Sequence, residues 1–372
     1  MRFRLLLVAV LLLSTTLIAS CSSEALLTEH DTDTPGAVAD RGLPVSTPSA
    51  EGFDAGALAD AYSHVESSPE LSPYMLCLLV VRHGYLVAER YFGSDGPETG
   101  SEAKSETLFN VKSVSKSFLS ALTGIAIQQG YLTGVDQPIA PFFPEYLGPD
   151  LGPPWGDVTV RHLLTHTAGF LWEESGSVHL GWQFSDDWIA YTLGLPFVAE
   201  PGSTFNYTTA GTHLLAVVLA RATGRPLMDF AQEALFEPGG IEIGRWDTDP
   251  QGNYIGGKDM YFRAIDLAIF GVLFIDSGIH DGVTVVPESW VRESTGERIP
   301  FGGESGYGYL WCRWAPGRHE SYYASGMGGQ YIFIVPDLDL VVVITSTLES
   351  GWGYHNSVLA FVEGQILPTI VR

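Results

Sequence analysis

The sequence predicts an α/β (α+β) protein: one antiparallel sheet flanked by helices, with a mainly helical region inserted between strands drawn from the two ends of the chain. Three observations carry this. Strand-like apolar runs cluster early, at Tyr74–Tyr91, and late, at Tyr307–Trp314, Tyr322–Ala324, Tyr331–Val335 and Leu338–Thr345. The late runs are joined by short polar or Pro/Asp turns, which suit antiparallel neighbours better than crossover units. Between the clusters apolar residues recur at helical intervals, as in Phe118, Leu119, Leu122, Ile125 and Ala126. A chain of 372 residues is long enough for one broad domain or two closely joined ones.

Taken in order, Arg2 and Arg4, the apolar run Leu5–Leu13 and the small residues Ile18–Ala19–Ser20 before Cys21 read as a secretory signal over residues 1–20. The junction resembles a bacterial lipobox. It would make Cys21 the lipid-modified first residue of an exported, periplasmic or cell-envelope lipoprotein, held at the lipid bilayer by acyl chains. An ordinary signal peptide with a cysteine nearby is the other reading. Residues 21–54, rich in Ser, Thr, Pro, Gly and acids, are expected to form a flexible tether. That leaves 55–372 as the folded domain, with a helical region around 120–290.

Tyr74–Tyr91 reads as two strands around His83–Gly84, a hairpin whose Leu, Val and Tyr content suits a packed sheet. Ser113–Gln129 is predicted helical, with Gly130 as its stop. The segment Asp157–Gly169 carries His162 and His166 at i,i+4 spacing, but it is not an HExxH motif and no acid is well placed nearby, so both histidines read as structural. Phe170, Trp172, Trp182, Phe184 and Trp188 follow, as a substrate wall or as core. Leu214, Leu215, Val218 and Leu219 mark the buried face of a helix, with Tyr207 on a turn before it. Tyr254–Gly278 reads as a loop entering a further helix, and Ser357–Leu367 as a last helix packed back on the sheet. Cys77 and Cys312 lie in apolar strand-like sequence and read as buried small side chains, although export permits a disulfide between them.

The formal charge of −24 argues against nucleic acid as a partner, because no basic cluster offsets phosphate repulsion. Loss of the leader would remove two arginines and no acid, leaving the chain more acidic still.

The chemistry centres on Ser113–Val114–Ser115–Lys116. Ser and Lys three apart share one side of a helix, where a neutral lysine can take the serine proton. At a helix start, unpaired N–H groups and the dipole favour developing negative charge. Tyr207 could relay the proton exchanged with Ser113, the more so if Lys116 lowers its pKa.

Ser113–Lys116, Tyr207, the DVTVRHLLTHTAG segment and ASGMGGQYIFIVP appear in an order that resembles the serine beta-lactamase and penicillin-recognising hydrolase superfamily. The resemblance covers about residues 55–370, and its class C-like esterase, D-aminopeptidase and 6-aminohexanoate-dimer hydrolase branches are the most similar in pattern. It implies a beta-lactamase/transpeptidase-like fold. It also implies Ser113 as nucleophile, Lys116 as activating base and Tyr207 as second acid/base. The backbone N–H groups of Ser113 and Met327 would form an oxyanion hole, with Ser325 and Gly326 on the adjoining strand and Thr209 and Trp172 in a secondary pocket. No metal or cofactor is implied.

Two departures bear on substrate. The tyrosine motif commonly carries asparagine two residues on, where this chain has Thr209, and a hydroxyl is not expected to reproduce an amide's simultaneous donor and acceptor geometry. Ala324 stands where the third motif usually carries a cation, which removes an attractive partner for an anionic substrate. The expectation is a serine hydrolase acting on a carboxylic ester or small amide. Alternatives are a D-amino-acid peptidase, a beta-lactamase, or a non-catalytic ligand-binding envelope protein of the same fold.

Overall fold

The computed structural model describes residues 42–93, 102–148, 154–302, 305–316 and 319–371. Cys21 and the leader lie outside the described residues.

Helix α1 (Ala55–Ser67) starts where the Asp54 carboxylate accepts from the Ala57 N–H at 3.0 Å. Strands β1 (Met75–Arg82) and β2 (Tyr85–Tyr91) form the expected hairpin. Its two turn residues, His83 and Gly84, both have positive φ (51° and 78°), the geometry that matches the twist of the flanking strands. Strand β3 (Phe109–Asn110) leads into a 3-10 turn, Lys112–Val114, and then α2 (Ser115–Gln128), which stops before Gly130 at φ 79°.

After α3 (Pro144–Leu147) comes the helix-rich insertion: α4 (Val160–Leu164), α5 (Ser177–Gln183), α6 (Trp188–Leu193), α7 (Thr209–Thr223) and α8 (Leu227–Ala231). Strands β4 (Ile243–Trp246) and β5 (Met260–Phe262) pair with β3 in a small sheet of order β3-β5-β4. Then follow α9 (Ala264–Ile275), the hairpin β6 (Ile279–His280) and β7 (Val283–Thr284), and α10 (Glu288–Thr295). The chain ends with β8 (Ile299–Gly302), β9 (Ser305–Tyr307), β10 (Cys312–Trp314), β11 (Ser321–Gly326), β12 (Gln330–Val335), β13 (Leu340–Ser346) and α11 (Trp352–Phe361).

Eight strands form the central antiparallel sheet, in the order β2-β1-β13-β12-β11-β10-β9-β8. The N-terminal hairpin therefore closes against the last strand, β13. Alternate side chains feed two cores. Ile332, Ile334, Val341 and Val343 face α9 and α2, while Phe333, Val335, Val342 and Ile344 face α1 and α11. Burial on both faces explains why β13 reads as an unbroken apolar run and does not alternate. Helix α9, apolar around most of its circumference, lies between this sheet and α2; Phe270 stacks on Phe118 with centroids 3.8 Å apart. A Cβ on Gly271 would lie 2.6 Å from Val341 Cγ1, so glycine sets how closely α9 approaches the sheet.

Three expectations need correction. The tether does not extend to position 54. Leu43 and Phe53 are buried; the Leu86 N–H donates to the Pro44 carbonyl at 2.8 Å and the Ser46 N–H to the Leu86 carbonyl at 3.1 Å, docking 44–46 on β2, while Phe53 bridges to Ile370 near the C-terminus. Tyr307–Trp314 is two strands. Leu310 adopts φ 62° and its N–H reaches the Leu164 carbonyl, diverting the chain toward α4. The region 120–290 holds four short strands as well as helices, and its helix-rich part is α4–α8. The disulfide that export would permit between Cys77 and Cys312 does not form: Cys77 is buried in β1 and Cys312 half-buried in β10, four strand spacings apart, or roughly 19 Å, far beyond disulfide reach.

Candidate active site

The site forms where the start of α2 meets the end of β11. Lys112 is held at φ 47°, its ammonium 2.9 Å from Asp259 Oδ1, which also accepts from the Asn110 amide at 2.9 Å. These contacts anchor a left-handed residue directly before Ser113 and place the serine in the 3-10 turn that opens the helix.

One turn on, Lys116 is buried. Its Nζ donates to Ser113 Oγ at 3.0 Å, Thr209 Oγ1 at 3.1 Å and the Gly257 carbonyl at 2.7 Å, one acceptor for each ammonium hydrogen. Burial pulls its pKa down from 10.5 to about 8. Glu174 pushes the other way, Lys258 assists burial, and Asp259 and Cys312 oppose it. Roughly one lysine in ten is then neutral at pH 7.

Tyr207 arrives on the segment before α7, as its turn position predicts. Its hydroxyl lies near enough to Ser113 to feel it electrostatically, and its ring lies 4.8 Å (centroid) from Lys116 Nζ. Lys116 does not lower its pKa as expected. Burial and the Glu174 charge hold the phenol well above its ordinary value, against the pull of Ser113. The tyrosine is thus kept protonated, as a donor or relay.

His166 backs the Tyr207 ring with centroids 4.4 Å apart. Burial and the nearby Lys116 hold it well below its usual pKa, so it is neutral. Nδ1 accepts from the Thr208 N–H at 3.2 Å, which leaves Nε2 to donate to the Tyr307 hydroxyl at 3.1 Å. His162 instead closes a capping box at α4, its Nδ1 accepting from the Thr159 N–H. The two histidines therefore do separate structural work. Among the described residues no cluster of three or more His, Cys, Asp or Glu is placed to hold a metal.

Thr209 overturns the expectation set for it. Its hydroxyl accepts from Lys116 and donates to Glu174 Oε1, so it serves as acceptor and donor at once. Glu174 Oε2 also accepts from the Thr209 N–H at 2.9 Å and from the Trp172 indole N–H at 2.5 Å. Trp172 is buried against Trp182, so it supports Glu174 from the core. Glu174 was missed because nothing marks it among neighbouring loop acids. The available signal was indirect, in that a threonine replacing an amide needs an acceptor for its one proton.

Strand β11 ends beside the serine. A Cβ on Gly326 would lie 2.3 Å from the Val111 carbonyl oxygen and 3.2 Å from Ser113 N, so only glycine lets the strand press this close. Ser325 is half-buried and lies opposite Tyr331 of β12, whose hydroxyl meets His355 Nδ1 at 2.5 Å. Met327 is exposed at the strand end. Ala324 is buried on the α9 side of the sheet. Lys258, which acts on Lys116, is tied to Asp259 at 3.4 Å and lies over the Trp188 ring.

An antiparallel sheet flanked by helices, a helix-rich insertion, and a Ser–Lys pair at a helix start beside a glycine strand end together define the beta-lactamase/transpeptidase-like, penicillin-recognising superfamily. Within it the chain belongs to the Beta-lactamase family, whose sequence pattern matches residues 75–358. It is 29% identical over 273 residues to Esterase EstB of Burkholderia gladioli, a match covering 68% of this chain and 61% of that protein. The chain thus spans less than two thirds of that relative's length. Its fold is similar to that of EstCE1, a hydrolase with promiscuous acyltransferase activity (TM-score 0.69, 20% identity, 83% of this chain and 99% of that one). It is also similar to that of an octameric penicillin-binding protein homologue from Pyrococcus abyssi (TM-score 0.66, 20% identity, 84% and 78%). At these identities the two structures speak to fold alone.

Proposed function

We propose that this protein is an exported serine hydrolase that cleaves a carboxylic ester or small amide through an acyl-enzyme on Ser113. The observation that carries this reading is that buried Lys116 donates from Nζ to Ser113 Oγ at 3.0 Å, with the Tyr207 ring 4.8 Å (centroid) from the same Nζ. Neutral Lys116 takes the serine proton as Oγ bonds to the carbonyl carbon. The N–H groups of Ser113 and Met327 receive the oxyanion, with Gly326 permitting the approach and Ser325 orienting the substrate. The bond to the leaving group breaks as Tyr207 returns a proton to the departing alcohol or amine, replenished from Lys116. Water then adds to the acyl carbon by the reverse proton path and frees Ser113.

The resemblance to an esterase favours an ester as substrate, and the buried, uncharged Ala324 favours a substrate without a carboxylate at that position. In this reading the hydrolase domain includes the docked residues 42–54 as well as the chain from 55 on, residues 1–20 direct export, and Cys21 takes the lipid. Among the described residues no helix is long and apolar enough to cross a membrane.

The test follows hydrolysis of short-chain p-nitrophenyl esters, small amides and a penicillin by the wild type and by Ser113→Ala. Turnover lost in the mutant, greatest on esters, is the expected result. Equal turnover by the mutant would sink the reading, and failure of a fluorophosphonate to label folded wild type at Ser113 would do the same.

A further inference from the structure

We propose that Glu174 is a positioning residue for Lys116, acting through the Thr209 hydroxyl. The proposal rests on the hydrolase reading above and extends it beyond the Ser–Lys–Tyr set. A threonine hydroxyl has one hydrogen, and its direction decides what Lys116 meets. Glu174 Oε1 takes that hydrogen, so a Thr209 lone pair faces Lys116 Nζ at 3.1 Å. The carboxylate is itself fixed by two donors on Oε2, the Thr209 N–H and the Trp172 indole. Glu174 and Thr209 thus form one two-residue unit that holds the lysine against Ser113, with the Gly257 carbonyl completing its acceptors.

The unit also acts on the lysine proton. The charged and titratable groups around Lys116 are Glu174, Lys258, Asp259 and Cys312, with the protonated Tyr207 and the neutral His166 against it. Among the groups that oppose burial and favour the charged lysine, Glu174 contributes most. In Glu174→Gln the amide oxygen must keep the Oε2 place, since two N–H donors point there. Its NH2 then donates to Thr209 Oγ1, and the hydroxyl hydrogen turns toward Lys116 Nζ, which only a neutral amine accepts. Loss of charge and reversal of the hydroxyl both shift the lysine toward its neutral form.

The experiment labels lysines with 13C and follows the Lys116 Cε resonance across pH, assigned with Lys116→Met. It also records kcat/KM against pH on a p-nitrophenyl ester. In Glu174→Gln we expect the Lys116 midpoint and the acidic limb of kcat/KM to move down together by about one pH unit, with kcat at the plateau reduced. Thr209→Val, which removes an acceptor of the ammonium, should move both the same way and serves as the test if Glu174→Gln does not fold. A merely structural role would lower activity at every pH and leave the midpoint in place, and that result overturns the proposal. A midpoint that moves in Glu174→Gln while wild type shows no Ser113-dependent turnover would sink the hydrolase reading and leave the positioning role standing.

Discussion

The central sheet and the loop cluster that meets it at Ser113 are held by different kinds of contact. In the sheet, each strand position repeats what its neighbours do: Ile332, Ile334, Val341 and Val343 fill one core, and Phe333, Val335, Val342 and Ile344 fill the other. Losing one methylene there costs about 1 kcal/mol and leaves the strand order intact. In the loop cluster, a few polar atoms from residues far apart in sequence meet: Lys116 with Thr209 and the Gly257 carbonyl, and Thr209 with Glu174. No neighbour duplicates them. Stability is therefore distributed across the sheet, while chemistry depends on a few unshared contacts.

Substitutions can break that contrast or sharpen it. In the proposed mechanism Ser113→Ala should cost roughly ten-thousandfold or more in kcat, with little change in the thermal midpoint, because a small hydroxyl is lost at an edge of the packing. Gly326→Ala puts a methyl 2.3 Å from the Val111 carbonyl oxygen. The strand must retreat from Ser113, and a displacement near 1 Å is expected to cost about a hundredfold in kcat/KM, with a smaller effect on urea stability.

Lys116 ties the two regions together through pH. Below its pKa of about 8 it is protonated, so kcat/KM should rise close to tenfold per pH unit up to about 8 and then level. Tyr207, held above its ordinary value, stays protonated across that range. A flat profile with chemistry rate-limiting would contradict this. Stability should follow the same proton with a definite sign. Between about 8 and the usual 10.5 the unfolded chain binds the proton and the folded chain does not, so wild type gains stability with rising pH. Lys116→Met lacks that gain. Denaturant titrations of the two at pH 7.5 and 10 should show the advantage of the methionine variant shrinking.

The smallest effect on chemistry is expected at Gly271→Ala. The new methyl meets Val341 Cγ1 at 2.6 Å and Ile332 Cγ2 at 3.1 Å, overpacking that should cost about 1–3 kcal/mol in urea unfolding. Turnover per folded molecule should hold. If it fell as far as in Gly326→Ala, the separation between sheet and site would be wrong.

Much of the sheet was legible in sequence because its signals are local. The β1–β2 hairpin is announced by His83–Gly84 between two apolar runs, and β12 and β13 by theirs. Ser113, Lys116 and Tyr207 were legible as a set because the order of motifs resembles a known family. The break at Leu310 was not, since the pull on that residue comes from the Leu164 carbonyl, distant in sequence. The docking of residues 42–54 was hidden for a similar reason: polar, proline-containing sequence reads as tether until β2 and the segment around Thr369–Ile370, both distant in sequence, offer it hydrogen bonds.

By itself the sequence determined the fold class, the helix that carries Lys116 with Ser113 just ahead of it, and the turn that carries Tyr207, because hydrophobic periodicity and short spacings act between residues near in the chain. Tertiary structure alone decided the meaning of Thr209 and Glu174. An amide carries donor and acceptor in one side chain, whereas here a hydroxyl and a carboxylate 35 residues apart divide those roles. Whether they can do so depends on how the insertion folds back over α2, since the direction of a hydroxyl hydrogen is set by its neighbours in space.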